Sequence, residues 1–425
     1  MTHIKNFTQL ATNPGRHDAL NILEAGYEAI NTETVIKSKV KLKDNELFIK
    51  DKRFPLSQYE NIYFIGVGKC ALDAGRVIED ILKDYIKDGV VIDIKQGTLK
   101  KIRTYEGSHP WPSEKNISAT KEIVELLKNT TEHDLIIMAI SGGGSALMSL
   151  PHNSNPENLI NITQSLTKKG ADIYELNTVR KHLSEIKGGQ LAKIAYPAET
   201  VSLLFSDVLG DDISVIASGP TVKDKTTIYD AEEVLKKYNL LNKEEESFFT
   251  TTPKEDKWFE RVHNFLIVTN SDAIKAMQTE AEELGYEVVP GSNTVSGEAR
   301  IVGENFAKTN LSPGQVKISG GETTVTIKGS GEGGRNQETA LGSLLYLPDK
   351  TVFVSASSDG RDNTDVAGAI SDKELREKAE KLRLDPKQFI SDNDSYNFFA
   401  QVGGQIKTGS TGSNVSDLYI LLTYK

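Results

Sequence analysis

Asp134-Leu-Ile-Ile-Met-Ala-Ile140 running directly into Ser141-Gly142-Gly143-Gly144-Ser145 decides the fold class of this chain. A short apolar run rich in β-branched side chains reads as a strand inside a parallel sheet. It opens without a linker onto three glycines held between two serines. Successive glycine amides can curl into a nest that holds a phosphate, and the two hydroxyls can cap it. The segment is not the Walker sequence GxxxxGK[ST], which occurs nowhere in the chain. Nor is it a G-x-S-x-G nucleophile elbow, because Leu147 stands where the second glycine belongs. The competing interpretation is a flexible glycine turn with no ligand.

The pattern repeats outward from that segment. Strand-like runs occur at Asn61–Ile65, Gly89–Ile94, Thr200–Phe205, Asn264–Thr269, Gln315–Ser319 and Thr351–Ser355. Helical patterns lie between them at 69–87, 114–128, 157–169, 177–195, 272–284 and 296–308. Alternation of this kind predicts an α/β architecture with a mostly parallel sheet, whose ligands sit in the turns beyond the carboxyl ends of the strands. At 425 residues the chain should hold two or three domains. A Lys-, Glu- and Thr-rich stretch between Lys223 and Asp256 places the expected boundary at 235/236. The run Asp417–Thr423 could complete the sheet of either domain.

Two segments fit G-x-G-x-x-G/A. Gly66-Val67-Gly68-Lys69-Cys70-Ala71 follows a strand and has Asp93 where a ribose-binding acid would sit. Lys69 puts a cation inside the tight turn, where a helix N-terminus disfavours it unless an anion compensates. The second match is Gly329, Gly331 and Gly334, which feed Arg335 and Asn336 into a helix-like run ending at Leu345. Glycines allow close approach, the first helical amides point at an anion, and Arg335 adds a planar charged fork. An ordinary surface turn would also account for the glycines.

Carboxylates gather in two loops after strands, Ser206–Asp212 with Asp207, and Ser357–Asp365 with Asp359. Hard oxygen donors of this kind suit Mg²⁺ shared with substrate phosphates, although Asp-Gly turns also arise for their own hydrogen-bonding reasons. Glu175–Ser184 lines polar groups, Arg180 and His182 among them, along one helical start. That segment reads equally well as a charged helix face.

Composition narrows the function. A net charge of −10 argues against a nucleic-acid binder, and no run approaches the length of a membrane span. The single cysteine, Cys70, forbids an intrachain disulfide and fits a reducing cytoplasm.

In this order the segments resemble the glycerate 2-kinase family with a MOFRL C-terminal domain. The resemblance rests on Ser141–Ala146, Asn177–Ser184 with Lys187-Gly-Gly189, Ser206–Asp212 and Ala217–Thr221. It continues through Ser319–Thr324, Gly333–Gln337, Ser358–Gly360, Thr411, Gly412, Asn414 and Asp417. It departs at Ser113, where an acid is more usual, and at Arg361-Asp362-Asn363, which replaces a more glycine-rich loop. The resemblance implies a larger Rossmann-like α/β/α domain, a smaller α/β domain and an active site in the cleft between them. It also implies ATP-dependent phosphorylation of D-glycerate at the 2-hydroxyl, with Mg²⁺.

The expected roles follow. Ser141, Gly142, Gly143, Gly144, Ser145 and Asn336 bind ATP, Asp207 and Asp359 hold Mg²⁺, and Lys69 and Arg335 are the catalytic cations. Which of the two meets phosphate and which the glycerate carboxylate stays open. A cytoplasmic enzyme, with a homodimer as the default assembly, completes the expectation. The rival enzyme is an NAD(P)H-dependent hydroxypyruvate reductase built on Gly66–Ala71 and Asp93. A sugar-acid sensor without catalysis is the third reading.

Overall fold

The computed structural model describes residues 2–425 and divides the chain into two compact units. The larger is Val35–Ile267. The smaller combines the chain up to Thr34 with Val268–Lys425. The division therefore falls about one strand later than the expected 235/236 boundary, and the N-terminal segment joins the C-terminal half.

In the larger unit β1 (Val40–Lys43), β2 (Glu46–Ile49) and β3 (Lys52–Pro55) form an antiparallel meander. The main sheet holds β4 (Asn61–Val67), β5 (Ile86–Asp93), β6 (Ile102–Glu106), β7 (Asp134–Ile140), β8 (Glu199–Phe205) and β9 (Val262–Val268). Their spatial order is β6-β5-β4-β7-β8-β9, with parallel pairing from β6 through β8. Counted within the sheet, that order is third, second, first, fourth, fifth, sixth, the doubly wound arrangement. Alternation across the pleat gives each strand two apolar faces. Ile65, Val67, Ile136 and Met138 pack with Ile123 and Leu127 of helix Glu114–Lys128. Phe64 and Val91 face Gly75 of helix Ala71–Leu82 on the other side.

The smaller unit is built on β10 (Glu287–Val289), β11 (Val295–Glu298), β12 (Gln315–Thr324), β13 (Thr351–Ser357), β14 (Gly368–Ser371), β15 (Gln405–Ile406) and β16 (Asp417–Thr423). Its path is β10-β12-β16-β13-β14-β15, with β11 also paired to β12. β16 thus lies between β12 and β13 and runs antiparallel to both. Leu418 of β16 meets helices Pro14–Ile30 and Asn270–Glu283 near Gly26 and Met277. Its neighbour Tyr419 stacks on Phe306 of helix Ala299–Ala307, on the opposite face.

Two helical expectations change. Residues 177–195 are two helices, Ile173–His182 and Gln190–Ala195, because Gly188 and Gly189 adopt positive φ and break the run. The start of the expected helix 296–308 is strand β11. Among the described residues no helix is long and apolar enough to cross a membrane.

Candidate active site

The sheet of the larger unit reverses its winding between β4 and β7, the place where doubly wound sheets bind ligands. Both strands end in glycine turns, and the turns interlock. Ser141 N donates to Val67 O at 2.9 Å, and Lys69 N donates to Gly142 O at 2.9 Å. Gly68 has φ +124°, and a Cβ there would lie 2.1 Å from Ser141 Oγ, so only glycine fits. A Cβ on Gly143 would come within 3.1 Å of the His109 ring and 3.4 Å of Lys69 Cγ. Lys69 is therefore brought beside Ser141–Ser145. Asp207 follows the carboxyl end of β8, one strand further along the same edge.

A second layer braces this turn. Ala217, Ser218 and Gly219 all take positive φ, a costly local conformation for the two that carry Cβ atoms. Backbone bonds from Gly188 N to Ser218 O and from Gly189 N to Gly219 O hold it in place. Ser218 Oγ in turn donates to Asn177 Oδ1 at 2.7 Å and lies 3.1 Å from Ser145 Oγ.

Beside the turn lies a cavity of about 240 Å³ walled by Trp111, Leu159, Ile160 and Thr163, among others, with Arg180 and Lys187 at its lining. Lys187 is 1% exposed. Its ammonium donates to Ser145 O at 2.7 Å and Met148 O at 3.0 Å. Burial, helped by the neighbouring Arg180 charge, pulls its pKa down to about 7. Burial also lowers the pKa of Arg180. Among the described residues no carboxylate is paired with Arg180. The polar cluster around Arg180 and the Lys187-Gly-Gly segment were visible in the sequence, but neither cation stood out as a site residue.

The smaller unit gathers Arg335, Asn336 and Asp359 in a different way. The loop before Arg335 gives its amides to the protein's own side chains. Lys328 N and Gly329 N donate to Asn393 Oδ1, Ser330 N to Asp392 Oδ1, and Glu332 N to Asp394 Oδ1. At the start of helix Arg335–Leu344, Asp362 accepts from Asn336 N at 3.0 Å and Gln337 N at 2.8 Å. The anion that this glycine-rich turn and helix end hold is thus a carboxylate of the chain itself. A Cβ on Gly334 would lie 2.1 Å from Asp362 O, which explains that glycine.

Arg335 forms a two-point ion pair with Asp417, Nε to Oδ2 at 2.7 Å and Nη2 to Oδ1 at 3.1 Å, and its Nη1 meets Glu322. Burial would lower its pKa, but Asp417 and Glu322 outweigh burial and hold it well above the usual value. The side chain remains 33% exposed, so it can still face a ligand. Asn336 is fully buried. Its amide donates to Asp417 Oδ1 and Asp362 Oδ1, and its oxygen accepts from Ser355 Oγ. These bonds occupy the polar atoms that a nucleotide contact would need. Asp359 Oδ1 accepts from Ser357 Oγ at 2.8 Å and Arg361 N at 2.9 Å.

Asp93 is spent in the same fashion as Asp362. Its carboxylate accepts from Leu72 N and Lys95 N, capping the helix that follows the Lys69 turn. It is 1% exposed, so the ribose contact of a dinucleotide enzyme is already occupied by backbone. Among the described residues no group of three or more His, Cys, Asp or Glu side chains is arranged to hold a metal. A Mg²⁺ ion that keeps waters and substrate phosphates as ligands needs only one or two carboxylates, so a single aspartate is chemically sufficient to hold one.

A doubly wound sheet with a lysine turn, a triple-glycine turn and an aspartate loop along its carboxyl edge places the larger unit among the doubly wound α/β proteins. Residues 18–250 match the family described as Domain of unknown function (DUF4147), and residues 315–417 match the MOFRL family. The chain is 38% identical to a glycerate 2-kinase of Pyrococcus horikoshii over 96% of its own length and 97% of the relative. It is 34% identical to a D-glycerate 2-kinase of Thermotoga maritima, covering 95% and 97% of the two chains. The crystal structure of a Thermotoga maritima glycerate kinase superposes with a TM-score of 0.84 at 34% identity, covering 96% of this chain and 98% of that one. The chain belongs to the glycerate 2-kinase family.

Proposed function

We propose that this protein transfers the γ-phosphoryl group of ATP to the 2-hydroxyl of D-glycerate, giving 2-phosphoglycerate and ADP. The observation that carries the reading is similarity to glycerate 2-kinases along their whole length, both units included. Nothing in the comparisons points toward a reductase, and the engagement of Asp93 with the Leu72 and Lys95 amides argues against that alternative.

Phosphoryl transfer demands alignment and charge neutralisation more than covalent chemistry. In this reading the amides and hydroxyls of Ser141–Ser145 cradle the ATP phosphates, and the Lys69 ammonium beside them meets the charge that builds on the transferring group. Arg335, aimed by Asp417 and Glu322, is the second catalytic cation. Asn336 acts as a positioning residue, because it ties Asp417 to Asp362 beneath that arginine. Asp207 and Asp359 would hold Mg²⁺, which when bound neutralises phosphate charge. Clamping the acid by its carboxylate leaves the adjacent 2-hydroxyl as the nearer nucleophile.

Enolase tests both the activity and its regiochemistry. ADP should be released only with D-glycerate, and enolase added alone should turn the product into phosphoenolpyruvate. A strict need for phosphoglycerate mutase would show attack by the 3-hydroxyl. NADH oxidation with hydroxypyruvate, and no ADP release with glycerate, would overturn the kinase reading altogether.

A further inference from the structure

We propose that Arg180 is the anchor for the substrate carboxylate, and that the cavity it shares with Trp111, Leu159, Ile160, Thr163 and Lys187 is the acid-binding subsite. This rests on the glycerate kinase reading and adds a residue and a pocket to it. The first ground is charge. Arg180 sits half-buried at the end of helix Ile173–His182, and among the described residues it has no carboxylate partner. The next two residues of the helix are satisfied internally: Lys181 pairs with Asp224, and His182 bonds to Thr250 O and Thr226 Oγ1. A permanently charged fork left without a counterion in an apolar recess is matched by a carboxylate arriving from outside.

Size is the second ground. The cavity of about 240 Å³ lies below the ~300–1,000 Å³ typical of sites for drug-sized ligands such as nucleotides. It can hold a three-carbon acid. Its apolar walls thin the water around the guanidinium, which strengthens any ion pair formed there.

Position is the third. Gly143, Ser145 and Ala146 of the phosphate turn line the same cavity, so an acid held by Arg180 lies against the turn proposed to carry ATP phosphates. Lys187 pins that turn through Ser145 O and keeps one further N–H for the acid or for the phosphoryl group. Specificity follows. Glycerol has the same hydroxyls without the carboxylate, and it leaves Arg180 unmatched.

Steady-state kinetics of Arg180→Met on the full chain provide the test. KM for D-glycerate should rise about 10²-fold, the loss expected for a two-point charged contact, while KM for ATP stays unchanged. The wild-type protein gives an independent readout through arginine modification with phenylglyoxal and peptide mapping. D-glycerate should protect Arg180, and glycerol should not. An unchanged KM for D-glycerate in the variant, or modification of Arg180 at the same rate with and without D-glycerate, would overturn the anchor. ADP release by the wild type separates the two claims. If it persists while either of those results appears, the kinase reading stands and only the subsite is wrong. If Arg180→Met does not fold, as judged by circular dichroism, the protection experiment alone decides.

Discussion

Replacing Asp362 by Asn should change how the stability of the smaller unit responds to pH. Asp362 is 3% exposed and accepts from two backbone amides and from the side chains of Asn336 and Gln337. Those donors favour the charged form, but burial outweighs them. Helped by the nearby Asp417, it pushes the pKa from the ordinary 3.8 up to about 6. The folded chain therefore holds this proton more tightly than the unfolded chain. The stability it brings is fully present below the unfolded pKa and is lost as pH rises through about 6. A shift of about two units is worth about 3 kcal/mol in all, of which about 2 kcal/mol is lost between about pH 4.5 and about pH 7.5. Asparagine does not titrate, so the stability difference between wild type and Asp362→Asn should move by that amount, against the wild type, across the same window. The fixed cost of the exchange drops out of the comparison. Hydrogen exchange of the amides in helix Arg335–Leu344, corrected for intrinsic rates, reads the opening of this unit on its own. A difference that stays constant with pH, or grows in favour of the wild type, would show that the carboxyl titrates normally and that burial does not dominate.

Lys69→Ala and Arg335→Ala should each lower kcat/KM by about 10²–10³-fold, the usual loss for one transition-state donor, with the circular dichroism spectrum intact. Near-normal kinetics in both would take them out of the catalytic reading. Treatment with EDTA should abolish ADP release, and Asp207→Asn and Asp359→Asn should raise the Mg²⁺ concentration needed for half-maximal rate. Full activity after EDTA would remove the metal from the mechanism.

Strands β4, β7 and β16 were legible because each is an uninterrupted apolar run whose ends the sequence marks with Gly, Ser or Asp. β6 was not, since Ile102-Arg-Thr-Tyr-Glu106 is a half-exposed edge strand with little apolar signal. The break between residues 182 and 190 was hidden because helical spacing continues across it, and only Gly188 and Gly189 betray the turn. The division of the chain escaped notice for another reason. Helix Pro14–Ile30 finds its packing partner in Asn270–Glu283, and no local pattern announces a partner so distant.

The candidate site was legible to the extent that chemistry resides in a turn, as with Ser141–Ser145 and Lys69. Where chemistry depends on which carboxylate reaches which amide, the sequence was silent. Nothing near Gly334 says that Asp362 fills the helix end, and nothing near Ala71 says that Asp93 does the same. Arg180 shows the converse. It looks like one charge among several on a helix, and only the folded chain shows that among the described residues no carboxylate pairs with it.

The placement of β16 has a consequence for the order in which the molecule can be made. β12 and β13 do not pair with each other; both pair with β16 between them. During synthesis they must wait until the chain has passed Thr423, and helix Pro14–Ile30 must wait for residues beyond Val268. The larger unit is one continuous segment and can complete its sheet while the rest is still emerging. For that interval the N-terminal helix carries an uncovered apolar face containing Leu20, Leu23 and Tyr27. Sequence-distant pairing of this kind slows folding, so the smaller unit should be the one that depends on chaperones and the first to fail when synthesis is hurried.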